Sequence, residues 1–185
     1  MMNKFIRPAA LFAALLIAFS LLACGEEPVS QDDSPATTTG TSTDAPLPAE
    51  ATDVWGLTVD DTFLYPGADP ASVLAQLGEP YDMLEAASCV HDGFDRVYYY
   101  PGYEINTQPT ASGGEVIISI YLVDDSIATD EGLRIGDTLD AVLQLYGEVS
   151  ADAGVYTYSK TDSGVTASIH IAVDAAGYVT SIYYS

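Results

Sequence analysis

One segment of the chain occurs twice, and that recurrence constrains the fold more than any other feature. Residues 69–80 read DPASVLAQLGEP and residues 137–149 read DTLDAVLQLYGEV. Setting Val73-Leu74 on Val142-Leu143 brings Gly78 onto Gly147, both at an offset of 69. Recurrence at such a period marks units that bury their apolar faces against one another. Each copy reads as a short helix. Asp69 is placed as an N-cap, Pro70 as the first helical residue and Gly78 as the stop; Asp137 or Thr138 caps the second copy and Gly147 ends it. Val73, Leu74 and Leu77, and then Leu139, Val142, Leu143 and Tyr146, fall at helical spacing, so each helix needs a sheet to cover one side.

Strand patterns follow each helix. Residues 97–100 match 155–158, residues 103–107 take the place of 165–173, and Val116-Ile-Ile-Ser-Ile-Tyr121 matches Tyr178-Val-Thr-Ser-Ile-Tyr183. Gly113-Gly114 and Ala176-Gly177 supply the turns before the last strand. Short turns between strands imply antiparallel pairing. The expectation is an α+β domain of two tandem helix–strand–strand–strand repeats, about residues 62–123 and 132–185, with one antiparallel sheet and helices on one face. Residues 81–95 are read as a loop that is longer in the first repeat.

Alternation sorts the sheet faces. Val116, Ile118, Ile120 and Leu122 are assigned to the core, and Ile117, Ser119 and Tyr121 to the open side. Val165, Ala167, Ile169, Ile171 and Val173 point inward, with Thr166, Ser168 and His170 outward. Ile182 is inward and Ser181 and Tyr183 outward. In the tyrosine-rich stretch DRVYYYPGYEI (residues 95–105), Val97 and Tyr99 are assigned inward and Tyr98 and Tyr100 outward. The expected binding face is thus Tyr98, Tyr100, Ser119, Tyr121, Thr166, Ser168, His170, Ser181 and Tyr183. Rigid aromatics among small polar groups are what recognition surfaces favour. The plainer alternative is that the tyrosines stabilise a half-exposed sheet by cross-strand pairing.

The N-terminus gives an address. Lys4 and Arg7 precede an apolar run from Ala9 to Leu22, broken only by Ser20. The run is short for a membrane span and has the flanks of a secretory leader. Leu21-Leu22-Ala23-Cys24 resembles the lipobox of bacterial lipoproteins, which implies cleavage after residue 23 and lipidation of Cys24. More than one acyl chain would make a stable membrane anchor. The residues up to 52 are Ser, Thr, Pro, Ala and acids, with Val29 and Leu47 the larger aliphatics, so they cannot offset their chain entropy and read as a disordered tether. The organisation expected is a signal peptide at 1–23, a lipidated tether at 24–52 and a domain at 53–185, on the extracytoplasmic side of a membrane.

Charge narrows the partners. From Cys24 onward, 27 acids stand against three bases, a net charge of −24 with His neutral. Nucleic acid and anionic lipid surfaces would repel such a chain. A basic partner, bound cations or colloidal solubility fit it. The pairs Asp60-Asp61 and Asp124-Asp125 lack the spacing of a calcium loop. Lipidation of Cys24 leaves Cys89 without a disulfide partner, and beside Val90 it reads as a small buried hydrophobe. Cys89 and His91 would need carboxylates to complete a metal site, so neither a metal nor another cofactor is assigned.

A resemblance adds to this. Residues 132–148, GLRIGDTLDAVLQLYGE, followed by tyrosine-rich strands ending Gly-Tyr-Val-Thr-Ser-Ile, look like small bacterial lipoproteins of the outer-membrane assembly (SmpA/OmlA) type. The tandem arrangement resembles the β-lactamase inhibitor protein architecture, which implies a curved sheet with a concave face. Ser88–Gly93, SCVHDG, is similar to a stretch in uncharacterised lipoproteins. No partner-contacting motif of these groups is matched residue by residue.

Catalysis finds little in the chain. Ser168 and His170 share a strand face about 7 Å apart, too far for a nucleophile–base hydrogen bond. No nucleophile elbow, phosphate loop or zinc-protease motif occurs. The expected function is a membrane-anchored module that binds a protein or an envelope component through its open sheet face. The alternative is a small-ligand or cation-binding sensor domain.

Overall fold

The computed structural model describes residues 53–185. The leader, Cys24 and the tether lie outside the described residues. The elements in chain order are β1 (Leu57–Val59), β2 (Thr62–Leu64), α1 (Pro70–Leu77), β3 (Asp82–Ala87), β4 (Phe94–Tyr100), β5 (Tyr103–Pro109), β6 (Glu115–Leu122), α2 (Leu139–Tyr146), β7 (Val155–Asp162), β8 (Val165–Val173) and β9 (Val179–Tyr184). Seven strands form one antiparallel sheet in the order β3-β4-β5-β6-β9-β8-β7, and β1 and β2 form a separate ribbon.

This corrects the expected α+β class with its two helix–strand–strand–strand repeats. The described chain is mostly β, and its two helices span only eight residues each. The first half carries β1, β2 and β3, which have no counterpart in the second. The supposed loop 81–95 is instead a hairpin, in which Asp82–Ala87 pairs with Phe94–Tyr100 without a break in register.

Local signals at the helix ends act as their chemistry dictates. Asp69 accepts from Ala71 N–H and Thr138 from Ala141 N–H, satisfying donors the first turn leaves free. Gly78 and Gly147 stop the helices at φ 78° and 88°, a region where a Cβ is costly. In both halves a tyrosine then seals the end: Tyr100 O–H donates to Gly78 C=O and Tyr158 O–H to Gly147 C=O, each at 2.8 Å.

At its centre the sheet pairs symmetrically. β6 and β9 meet only over Ile120–Leu122, with Tyr121 opposite Tyr183. Beyond that short ladder, each strand is bonded by the segment leading into a helix. Gly67 N–H donates to Ile117 C=O (2.8 Å) and Ile117 N–H to Ala68 C=O (3.0 Å); Gly136 N–H donates to Val179 C=O and Val179 N–H to Asp137 C=O, both at 2.8 Å. A bulge makes this geometry on each side. Asn106 faces Ser119 but Thr107 faces Ile117, so Ile118 is the extra residue. Ala172 faces Ser181 but Val173 faces Val179, so Thr180 is the extra residue. An extra residue bends the strand and re-aims its peptide groups.

The helices and the β1–β2 ribbon cover one face. Val73, Val142, Leu57 and Leu64 join a core with Tyr98, Tyr100, Tyr103, Ile105, Ile117, Ile120, Ile169, Ile171, Ile182 and Tyr184. Two assignments fail here. The Ile118 bulge shifts the alternation, so Ile117 is buried and Ile118 exposed, the reverse of the sequence reading; Val116 is likewise only half-buried. Tyr98 and Tyr100 lie on the core side, and Val97 and Tyr99 on the open side. The Pro101-Gly102 turn sets Tyr100 opposite Tyr103 and Tyr98 opposite Ile105, and cross-strand partners share a face. Burial of Ile105 and Tyr103 therefore carries both tyrosines inward.

Candidate functional site: the open face of the sheet

The uncovered face is organised as one row across all seven strands. Register places Asp82, Tyr99, Glu104, Tyr121, Tyr183, His170 and Thr157 side by side from β3 to β7. At the middle of the row three rings stand parallel. Tyr121 and Tyr183 stack with centroids 4.8 Å apart at 16°, and His170 stacks on Tyr183 at 4.4 Å and 10°. Rings stacked along the sheet offer solvent their edges and hydroxyls, so the row is a line of hydrogen-bonding tips on an aromatic body.

Hydroxyls extend the face over β7 and β8. Thr161 bonds Thr166 at 2.8 Å, and Ser159 bonds Ser168 at 2.7 Å. His170 Nδ1 is 3.1 Å from Thr157 Oγ1 and Nε2 is 2.8 Å from Ser185 Oγ. Burial lowers the His170 pKa below its ordinary value, which keeps the ring neutral near neutral pH. Ser185 with His170 has the spacing of a nucleophile and a base, but Thr157 at Nδ1 supplies no charge to hold an imidazolium.

Of the residues expected on this face, the structure brings together Tyr121, Tyr183, His170, Ser168 and Thr166, with Ser181 beside Tyr183's strand neighbours. Ser119 shares their side, opposite Asn106, but is buried. Tyr98 and Tyr100 are removed from it, as described. Sequence reasoning missed Tyr99, Glu104, Thr157, Ser159, Asn106 and Ser185. Tyr99 and Glu104 follow from the two-residue turn, once the register across it is set. Asn106 Nδ2 is enclosed on this face without a hydrogen-bond partner, as is Asp95 Oδ1 on β4. Enclosed groups of this kind are uncommon in native folds.

Elsewhere the surface is acidic with its bases already engaged. Arg96 bonds Glu85 at 2.8 Å and Glu115 at 3.0 Å, and the Glu85 bond is the main reason its pKa is raised. Arg134 Nη1 donates to the carbonyls of Asp125 and Ser126. Lys160 lies 4.2 Å from the Trp55 ring centre and 3.1 Å from Asp53. Cys89 is exposed at the tip of the β3–β4 hairpin, which corrects its reading as a buried hydrophobe; the β3 residues leading to it are all exposed too, so this strand offers no core for it to join. Among the described residues, no group of three or more His, Cys, Asp or Glu is gathered to hold a metal ion, and no helix is long and apolar enough to cross a membrane.

No family model, curated protein or solved structure matches the chain.

Proposed function

We propose that this protein is a membrane-anchored extracytoplasmic lipoprotein that binds another protein or an envelope component through the open face of its sheet. The observation that carries the reading is the stacked row Tyr121–Tyr183–His170 at the centre of an uncovered sheet. Rings already ordered by stacking lose little conformational entropy when a partner docks. The flanking serine and threonine hydroxyls supply hydrogen-bonding groups that adapt to a polar partner. The leader and Cys24 supply the anchor in this reading, and the residues before the domain supply reach.

The test is binding of envelope components to the full chain and to a Tyr121→Ala/Tyr183→Ala double variant. Both rings are only half-buried, so the variant keeps the core intact. Partner binding lost with folding retained supports the reading. Binding unchanged in a folded double variant refutes it.

A further inference from the structure

A second free element lies away from the stacked row. β3 is the edge strand of the large sheet, and all six of its residues are exposed. Its apolar side chains stand open to solvent: Met83 is 48% and Leu84 58% exposed, with Tyr81 just before them at 69%. Ser88 N–H bonds Gly93 C=O at 3.0 Å, which fixes the alternation of the ladder. Asp82, Leu84 and Ala86 turn their peptide groups towards β4, and Met83, Glu85 and Ala87 turn theirs outward. Asp82 Oδ1 accepts from Met83 N–H at 2.9 Å, occupying a position that a pairing strand would fill.

Natural edges are protected by charged side chains, proline, bulges or cover. β3 has no proline, its register with β4 is unbroken, and its charges are the two acids Asp82 and Glu85, which repel an acidic strand and not a cationic one. The opposite edge, β7, carries Lys160, and Asp53 N–H bonds Asp162 at its end. Charge selects the occupant. Asp82 lies on one side of β3 and Glu85 on the other, Glu79 and Asp92 flank it, and Arg96 is taken by Glu85 and Glu115. A second copy would bring the same acids to the same edge.

We propose that β3 is a docking edge for an extended segment of another polypeptide that alternates apolar and cationic side chains and adds as an eighth strand. Main-chain bonds to Glu85, Ala87 and the Met83 carbonyl supply affinity, and the acids on both sides favour cationic neighbours.

The test uses the full chain in detergent micelles with three synthetic heptapeptides: alternating lysine and valine, the same peptide N-methylated at every residue so that neither edge can donate, and alternating glutamate and valine. The lysine peptide is expected to bind and to slow amide exchange at residues 85 and 87. The N-methylated peptide, equal in charge but unable to complete a ladder, should bind at least tenfold more weakly, and the glutamate peptide more weakly still. Ala87→Pro, which removes an outward N–H and no bond to β4, should weaken the lysine peptide in the same sense. Equal binding of the lysine and N-methylated peptides would overturn the proposal, because attraction would then be charge alone. Protection at Tyr121 and Tyr183 instead of β3 would overturn it, as would protection of β3 by self-association without peptide or no binding by the lysine peptide at millimolar concentration.

Discussion

The tyrosines divide by what their hydroxyls do. Tyr100 and Tyr158 are structural: each closes a helix by donating to the carbonyl of its terminal glycine. Tyr100→Phe and Tyr158→Phe should each cost about 0.5–1.5 kcal/mol in urea unfolding, the net worth of one intramolecular hydrogen bond. Their losses should add, since the bonds share no partner. Tyr121 and Tyr183 instead hold each other. A double-mutant cycle between them should give a coupling of about 0.5–1.5 kcal/mol, the range for ring pairs beyond area burial. His170 adds a pH dependence. Its pKa is depressed by burial, so below about pH 6.5 the unfolded chain binds a proton more readily than the folded one. The contribution of this residue to stability is present above that pH and declines as pH falls through the window beneath it. Melting temperatures of the native chain and His170→Gln, compared from pH 7.5 to 5, should show the native chain losing more on acidification.

At the scale of elements, bulges decide the faces. Ile118 and Thr180 each insert one residue, and each lets the preceding peptide unit bond the segment entering a helix. Deleting Ile118 would leave Ile117 inward and Ser119 outward, since regular alternation would then hold between them. It would forfeit the two bonds from Ile117 to Gly67 and Ala68. The expected cost is about 1–3 kcal/mol by chemical denaturation, with the fold retained. The helix ends were legible in the sequence because Asp69, Pro70, Gly78 and Gly147 act through local chemistry. The faces of β8 were legible because Ala167, Ile169 and Ile171 alternate without interruption. The outer half of β6 was not, because a bulge changes parity without leaving a distinctive residue. Tyr98 and Tyr100 were misplaced for a related reason: aromatic rings suit either side of a sheet, and their side was set by Ile105 across the turn. β3 was read as loop because it has no buried face, so its sequence carries no alternation to detect. Two short, clear helical patterns also drew the class towards α+β, when strands make up most of the domain.

For the whole molecule, the sheet has one covered side and one open side, and its centre is a short ladder with Tyr121 and Tyr183 at the middle. The acid excess and the engagement of Arg96, Arg134 and Lys160 within the domain leave the described surface with a strong negative bias. Association with a basic partner should therefore slow as salt rises from 50 to 500 mM, while the rate of dissociation changes less, as stopped-flow mixing would report. The most direct measurement places a photo-crosslinking side chain at one position at a time in the full chain within living cells: Tyr183 and Thr166 on the open face, and Ala75 and Leu145 on the exposed sides of the two helices, which lie on the covered face. The account predicts a discrete crosslinked species from Tyr183 and Thr166, and none from Ala75 and Leu145. Crosslinks arising from Ala75 or Leu145 alone would contradict it.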